Sequence, residues 1–140
     1  IVRWPARVKP GKSPALASQI DLFASFAALT GQTLADSDAP DSLNILPALL
    51  GRTPIGRDHL IEHAGTLSII QGNWKYIQPS NGRKINRSTN TELGNDPEPQ
   101  LYNLETDLTE KNNLAPSNPE KTKQLADLLQ KIRANPRSRP

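Results

Sequence analysis

The sequence predicts an α+β protein: a small antiparallel sheet of about four strands backed by a C-terminal helix, preceded by a strand and a helix whose apolar surface calls for a neighbour. Three observations predict it. Two runs rich in β-branched and aromatic residues, Thr66 to Gln71 and Trp74 to Gln78, flank Gly72-Asn73, a pair suited to a two-residue hairpin turn. Leu125, Leu128, Leu129 and Ile132 recur at helical spacing behind Asn118-Pro119-Glu120, the mark of an N-capped amphipathic helix. The segment from Gln19 to Thr30 is apolar on two faces, and 140 residues with two each of Trp, Tyr and Phe have little to cover both.

In chain order, Ile1 to Trp4 is a short β-prone run stopped by Pro5, and it reads as the last strand of a sheet begun elsewhere. Pro10-Gly11 marks a turn. Ser18 is the expected N-cap of the next helix, Asp21 favours the dipole from its first turn, and Gly31 is a natural C′ residue. Ile20, Phe23 and Ala27 form one apolar face and Leu22, Phe26 and Leu29 another, so burial on two sides is expected. Gln32 to Asp41 is polar loop. Leu43, Leu46, Leu49 and Leu50 then predict one or two helical turns starting near Asn44 or Ile45, which places Pro47 in the first turn where it is tolerated. Beyond the hairpin, Pro79 to Pro99 is a polar excursion and Gln100 to Leu104 a further strand. Trp74, Tyr76 and Tyr102 read as core between sheet and terminal helix. Asp107, Glu110 and Asn112 suit tight-turn chemistry, and Pro136 to Pro140 is expected to fray.

Composition bounds the function. The formal charge of +3 permits an anionic partner, but the basic residues are scattered and are not interleaved with aromatics that could stack on bases, which argues against nucleic acid. No stretch is long and apolar enough to span a membrane. With no Cys, disulfides and thiolate metal sites are excluded.

One stretch imitates a catalytic motif. His59-Leu-Ile-Glu-His63 fits the H-x-x-E-H pattern of inverzincin metalloproteases, in which a helix brings two histidines onto one face around a zinc ion. Between Gly56 and Gly65 there is no room for that helix. As a strand, the stretch sends His59, Ile61 and His63 one way and Leu60 and Glu62 the other, so the three groups cannot share a metal.

Five blocks in series, "RWPARVKPG", "SQIDLFASFAALTG", "DSLNILPALLG", "GNWKYI" and "QLYNLETDLTEKNNLA" with its terminal helix, resemble the C-terminal part of arylsulfatase-type sulfatases of the alkaline-phosphatase superfamily. Ala24-Ser25 stands where many members have Pro-Thr, and Ser42 where many have Gly. The resemblance implies that residues 1–56 close the large α/β catalytic domain and that residues 57–140 form a small α+β subdomain. It implies sulfate-ester hydrolysis by formylglycine and calcium. Neither the C/S-x-P-S-R segment nor the metal-binding segments occur here, so the chain alone is expected to be inactive and to brace an N-terminal catalytic domain. It also implies a sulfate-ester substrate such as a sulfated polysaccharide, and a periplasmic or secreted location. The uncovered strand and helix imply self-association of the chain by itself.

Four residues are candidates for substrate contact. Within the resemblance, His63 ends a strand near which many sulfatases place a polar residue facing the catalytic pocket; His59 reads as plain surface. Arg83, Lys84 and Arg87, in the long loop, are suited to the anionic groups of a sulfated glycan. A second hypothesis is a stand-alone module that binds polyanions through that basic loop; a phosphate or phosphonate monoester hydrolase is a third.

Overall fold

The computed structural model describes residues 1–139. It divides into two units, Ile1–Asp58 with the tail from Asn135, and His59–Ala134.

Helix α1 (Asp21–Leu29) organises the first unit. It ends as expected, with Gly31 at φ 71° leading the chain out. Its start differs. The N-cap is Ile20, and in place of a serine cap the Asp21 Oδ2 accepts the Ser18 N–H at 2.9 Å. Asp21 Oδ1 accepts the Leu43 N–H at 2.9 Å and a hydrogen bond from Arg57 Nη1. One turn on, Ser25 Oγ accepts the Ile45 N–H at 3.0 Å, while Ser42 Oγ accepts the Ala24 N–H at 2.9 Å. Asp21, Ala24 and Ser25 share a helix face by spacing, and that mostly polar face is the buried one.

The expected burial of both apolar faces of α1 is not met among the described residues: Phe23 is 56% and Phe26 54% exposed. The second helix, α2 (Leu46–Leu49), carries Pro47 in its first turn as expected, and Ile45, Ala48 and Leu50 are buried around it. Arg57 reaches Asp21 because the chain before it can approach closely. The Arg57 N–H donates to the Leu16 carbonyl at 2.8 Å, and a Cβ on Gly56 would lie 2.1 Å from that oxygen.

Two expectations fail here. Ile1 to Trp4 forms no strand, since a strand needs a paired neighbour and none of the described residues supplies one; instead the Arg7 and Val8 N–H groups both donate to the Trp4 carbonyl. The tail does not fray up to Arg139. Arg139 N–H donates to the Pro40 carbonyl at 2.9 Å and Ser138 N–H to Asp41 Oδ1 at 2.9 Å, which draws the tail into the first unit. Pro140 lies outside the described residues.

The second unit has the expected architecture, a four-stranded antiparallel sheet with a C-terminal helix. Strands β1 (His59–His63), β2 (Leu67–Gln71), β3 (Trp74–Ile77) and β6 (Gln100–Asn103) pair in the order β1-β2-β3-β6. Gly72 takes φ 57° in the β2–β3 turn. The register aligns Ile61, Ile69, Tyr76 and Leu101 in one row, and this row meets Leu125 and Leu129 of α3 (Pro119–Arg133) in the core. Glu120 lies in the first turn of α3 and Lys131 and Arg133 in the last, complementing its dipole. Asn118 occupies the N-cap position, but its side-chain amide donates to the Leu114 carbonyl at 3.1 Å and caps nothing. Within the long loop, β4 (Ile85–Asn86) and β5 (Thr91–Glu92) make a small separate ladder. Strands of two residues are too short for alternation to reveal.

Breaking a buried ion pair by removing one partner costs about 3–5 kcal/mol. Asp21→Ala should cost the first unit that much, read as a lowered urea midpoint of Trp4 fluorescence in a Trp74→Phe background. A loss below about 1 kcal/mol would show that Asp21 is not what holds α1 in place.

Candidate functional site

Strand alternation sorts the polar groups of the second unit between the two sheet faces. Opposite α3, Glu62, Ser68, Ile77 and Gln100 stand in one cross-strand row, and Lys75 and Tyr102 in the next. With residues 92–94 and 108–110 they line a cavity of about 240 Å³. Lys75 Nζ lies 2.8 Å from Glu110 Oε1 and 3.7 Å from Glu62 Oε2. The Tyr102 hydroxyl donates to Gln100 Oε1 at 2.8 Å, and Gln100 Nε2 donates to the Gly94 carbonyl at 2.8 Å. Burial, and after it the negative charge of Glu110 and Glu92, pushes the Tyr102 phenol above its ordinary pKa. The expectation that Tyr102 joins the core under α3 is therefore not met. Tyr102 pairs in register with Lys75, which points it away from the helix.

The turn after β6 is held by Asp107, whose Oδ2 accepts the Lys111 and Asn112 N–H groups at 2.9 and 2.8 Å. The Asn112 bond foremost holds this carboxyl below its usual pKa, with bonds from Lys111 and Thr109 adding to it. That is the turn chemistry expected of Asp107. Glu110, in the same turn, adopts φ 55°, unusual for a residue with a Cβ, while its carboxylate meets Lys75.

Of the four candidate contact residues, none lines this cavity. His63 is exposed at the end of β1, in register with Leu67 and on the face that carries Ile61. Its strand is the expected one, so Glu62 stands on the other face. Among the described residues no group of three or more His, Cys, Asp or Glu could hold a metal ion. Arg83, Lys84 and Arg87 are exposed at and beside β4. Lys84 Nζ pairs with Asp96 Oδ2 at 2.7 Å. That hydrogen bond first, and then the attraction between the charges, raises the ammonium pKa; the same bond first, and then the hydrogen bond from the Glu98 N–H, lowers the carboxyl's. No such pair engages Arg83 or Arg87 among the described residues. Asn95 supports the loop from inside: its Nδ2 donates to the Arg83 carbonyl at 2.7 Å, and a Cβ on Gly82 would lie 2.8 Å from its amide.

No family model matches the chain. It is 49% identical over 135 residues, 95% of its length, to N-acetylgalactosamine-6-O-sulfatase of Bacteroides thetaiotaomicron. The matching region is the C-terminal part of that enzyme. The chain is the counterpart of a sulfatase's C-terminal part. It spans about a quarter of the relative's length, 26%. A 6S-sulf protein, solved in work on the metabolism of multiple glycosaminoglycans by Bacteroides thetaiotaomicron, superposes with a TM-score of 0.89 at 47% identity, over 95% of this chain and 28% of that one. The protein Ps i-CgsB, in complex with k-i-k-neocarrahexaose, gives a TM-score of 0.66 at 25% identity, over 91% of this chain and 27% of that one. The chain, similar along nearly its whole length to the C-terminal part of that sulfatase, has the four-stranded sheet and terminal helix that the five sequence blocks imply. No helix among its described residues is long and apolar enough to cross a membrane.

The cavity residues escaped sequence reading. Lys75 alternates away from Trp74 and Tyr76, a usable signal, but grouping it with Tyr102 and Glu110 needs the β3–β6 register.

Because the folded pKa of Asp107 is depressed, its contribution to stability is present above the unfolded value of about 3.9 and is lost as pH falls below it. The urea midpoint of the wild type should therefore drop on acidification below about pH 4, and Asp107→Asn should flatten that drop. Parallel acid limbs in the two proteins would contradict the assignment.

Proposed function

We propose that the complete protein is a sulfatase that releases sulfate from a sulfated glycan, and that this chain is its C-terminal part. The observation that carries the proposal is the 49% identity to N-acetylgalactosamine-6-O-sulfatase over 95% of the chain. A 6-O-sulfated N-acetylgalactosamine residue is accordingly the proposed reacting sugar. A periplasmic or secreted location goes with such a substrate.

The division of labour follows from what these residues can and cannot do. Formylglycine and calcium, which the sulfatase resemblance implies, do not fit this chain: it has no Cys, no C/S-x-P-S-R run, and no cluster of metal ligands among its described residues. Both are proposed to belong to the catalytic domain, against which the apolar faces of α1 pack. Residues 1–56 would then complete that domain, and residues 57–140 would form the subdomain that shapes the substrate rim. Arg83 and Arg87, exposed and without a carboxylate partner among the described residues, are proposed to meet further sulfates of the glycan, with Lys84 beside them and His63 at the end of β1. Arginine suits this role because its planar donors match an oxyanion bidentately.

The complete open reading frame, expressed and assayed, should release sulfate from N-acetylgalactosamine 6-sulfate. In it, Arg83→Ala with Arg87→Ala should raise KM for a polysulfated oligosaccharide about tenfold and leave kcat unchanged, as expected for loss of uniform binding. Hydrolysis of phosphate monoesters without sulfate release would overturn the sulfatase reading. An unchanged KM would remove the arginines from the rim.

A further inference from the structure

The cavity opposite α3 has the wrong charge for a sulfate. Glu62, Glu92 and Glu110 line it against one cation, Lys75, and two of those carboxylates already hold that cation. Anionic groups are repelled from such a site, yet it is well furnished for hydroxyls. An ionised carboxylate has acceptor capacity for about four hydrogen bonds, so Glu62 and Glu110 each keep free lone pairs after meeting Lys75. Tyr102 lies buried in the cavity wall, its orientation fixed through Gln100 to the Gly94 carbonyl. Leu93 and Leu108 add apolar lining, and Leu108 is 79% exposed at the opening. Glu110 sits at φ 55° in a turn that Asp107 clamps, and its carboxylate is oriented by the hydrogen bond from Lys75. At about 240 Å³ the space falls below the roughly 300–1,000 Å³ of drug-sized pockets, which suits a single ring.

We infer that this cavity is a subsite for one unsulfated sugar residue, which donates its hydroxyls to Glu62 and Glu110 and lays its apolar face against Leu93 and Leu108. The choice of a sugar rests on the proposed glycan substrate, while the preference for an unsulfated one rests on the cavity's own charge. A glycan whose sulfated end reacts elsewhere would be read here at a neutral unit, so the two sites would select a pattern of sulfation and not total charge.

The test is a titration of the ¹⁵N-labelled 140-residue chain, followed by NMR, with N-acetylgalactosamine, with its 6-sulfate and with inorganic sulfate. The neutral sugar should give saturable shifts at the Lys75, Tyr102 and Glu110 amides with a Kd in the millimolar range. The 6-sulfate should bind about tenfold more weakly, and inorganic sulfate should leave these amides unmoved. Glu62 is half exposed, so Glu62→Gln should keep the fold, seen as an unchanged spectrum elsewhere, and weaken the neutral sugar several-fold. No saturable shift at these amides, or equal or tighter binding of the sulfated sugar, overturns the subsite. Sulfate release by the complete protein is scored separately: the subsite can fail while release persists, and release can fail while the subsite binds.

Discussion

The carboxylate of Asp21 is the interaction on which the first unit depends. It is fully buried, and it satisfies a backbone N–H before the helix, a backbone N–H on the following segment and a guanidinium brought in from Arg57. A charge removed from water is tolerable only when it is paired and hydrogen-bonded in this way. The consequence is that α1 is seated by polar contacts: Ser25 and Ser42 repeat the pattern a turn away, each accepting a backbone N–H across the same seam. With polar groups fixing its inner face, α1 is free to turn its phenylalanines outward. Phe23 and Phe26 therefore do not hold this chain together, and their exposure is the physical basis for assigning them a partner in the complete protein.

The second unit is organised by a different constraint, the two-residue period of its strands. One face of the sheet is closed by α3 around Ile69, Leu101, Leu125 and Leu129. The other carries the Glu62, Lys75 and Tyr102 side chains and remains open enough to hold a cavity. Because a strand residue must choose one face, the residues that make the core cannot make the site. The sheet separates the core residues from the cavity residues without any change of backbone.

Much of this was legible in the sequence where the signal is local. Gly72-Asn73 between two β-prone runs located the hairpin, Leu125 through Ile132 located α3, and the alternation within His59 to His63 disposed of a metal site that the letters alone suggested. What could not be read depends on partners distant in sequence. Nothing local to Asp21 announces Arg57, thirty-six positions on. Residue type alone points Tyr102 to the core, but the register across β3 and β6 decides its face. The ends of the chain misled for the same reason: Ile1 to Trp4 has the composition of a strand but no ladder to join here, and the polar tail is held by Asp41 and the Pro40 carbonyl, nearly one hundred residues away. Charge and family resemblance single out His63, Arg83, Lys84 and Arg87, and the fold distributes them between a strand end and an exposed loop.

The central proposal is that this chain is an integral part of a larger sulfatase and that the rest of that protein covers α1. Hydrogen–deuterium exchange measured on the 140-residue chain and on the complete protein tests this directly. The account predicts that amides of Phe23 to Leu29 exchange much more slowly in the complete protein, while those of Ile69, Tyr76 and Leu101 are equally protected in both. Equal exchange of the α1 amides in the two would contradict it, because nothing would then cover the apolar faces of that helix.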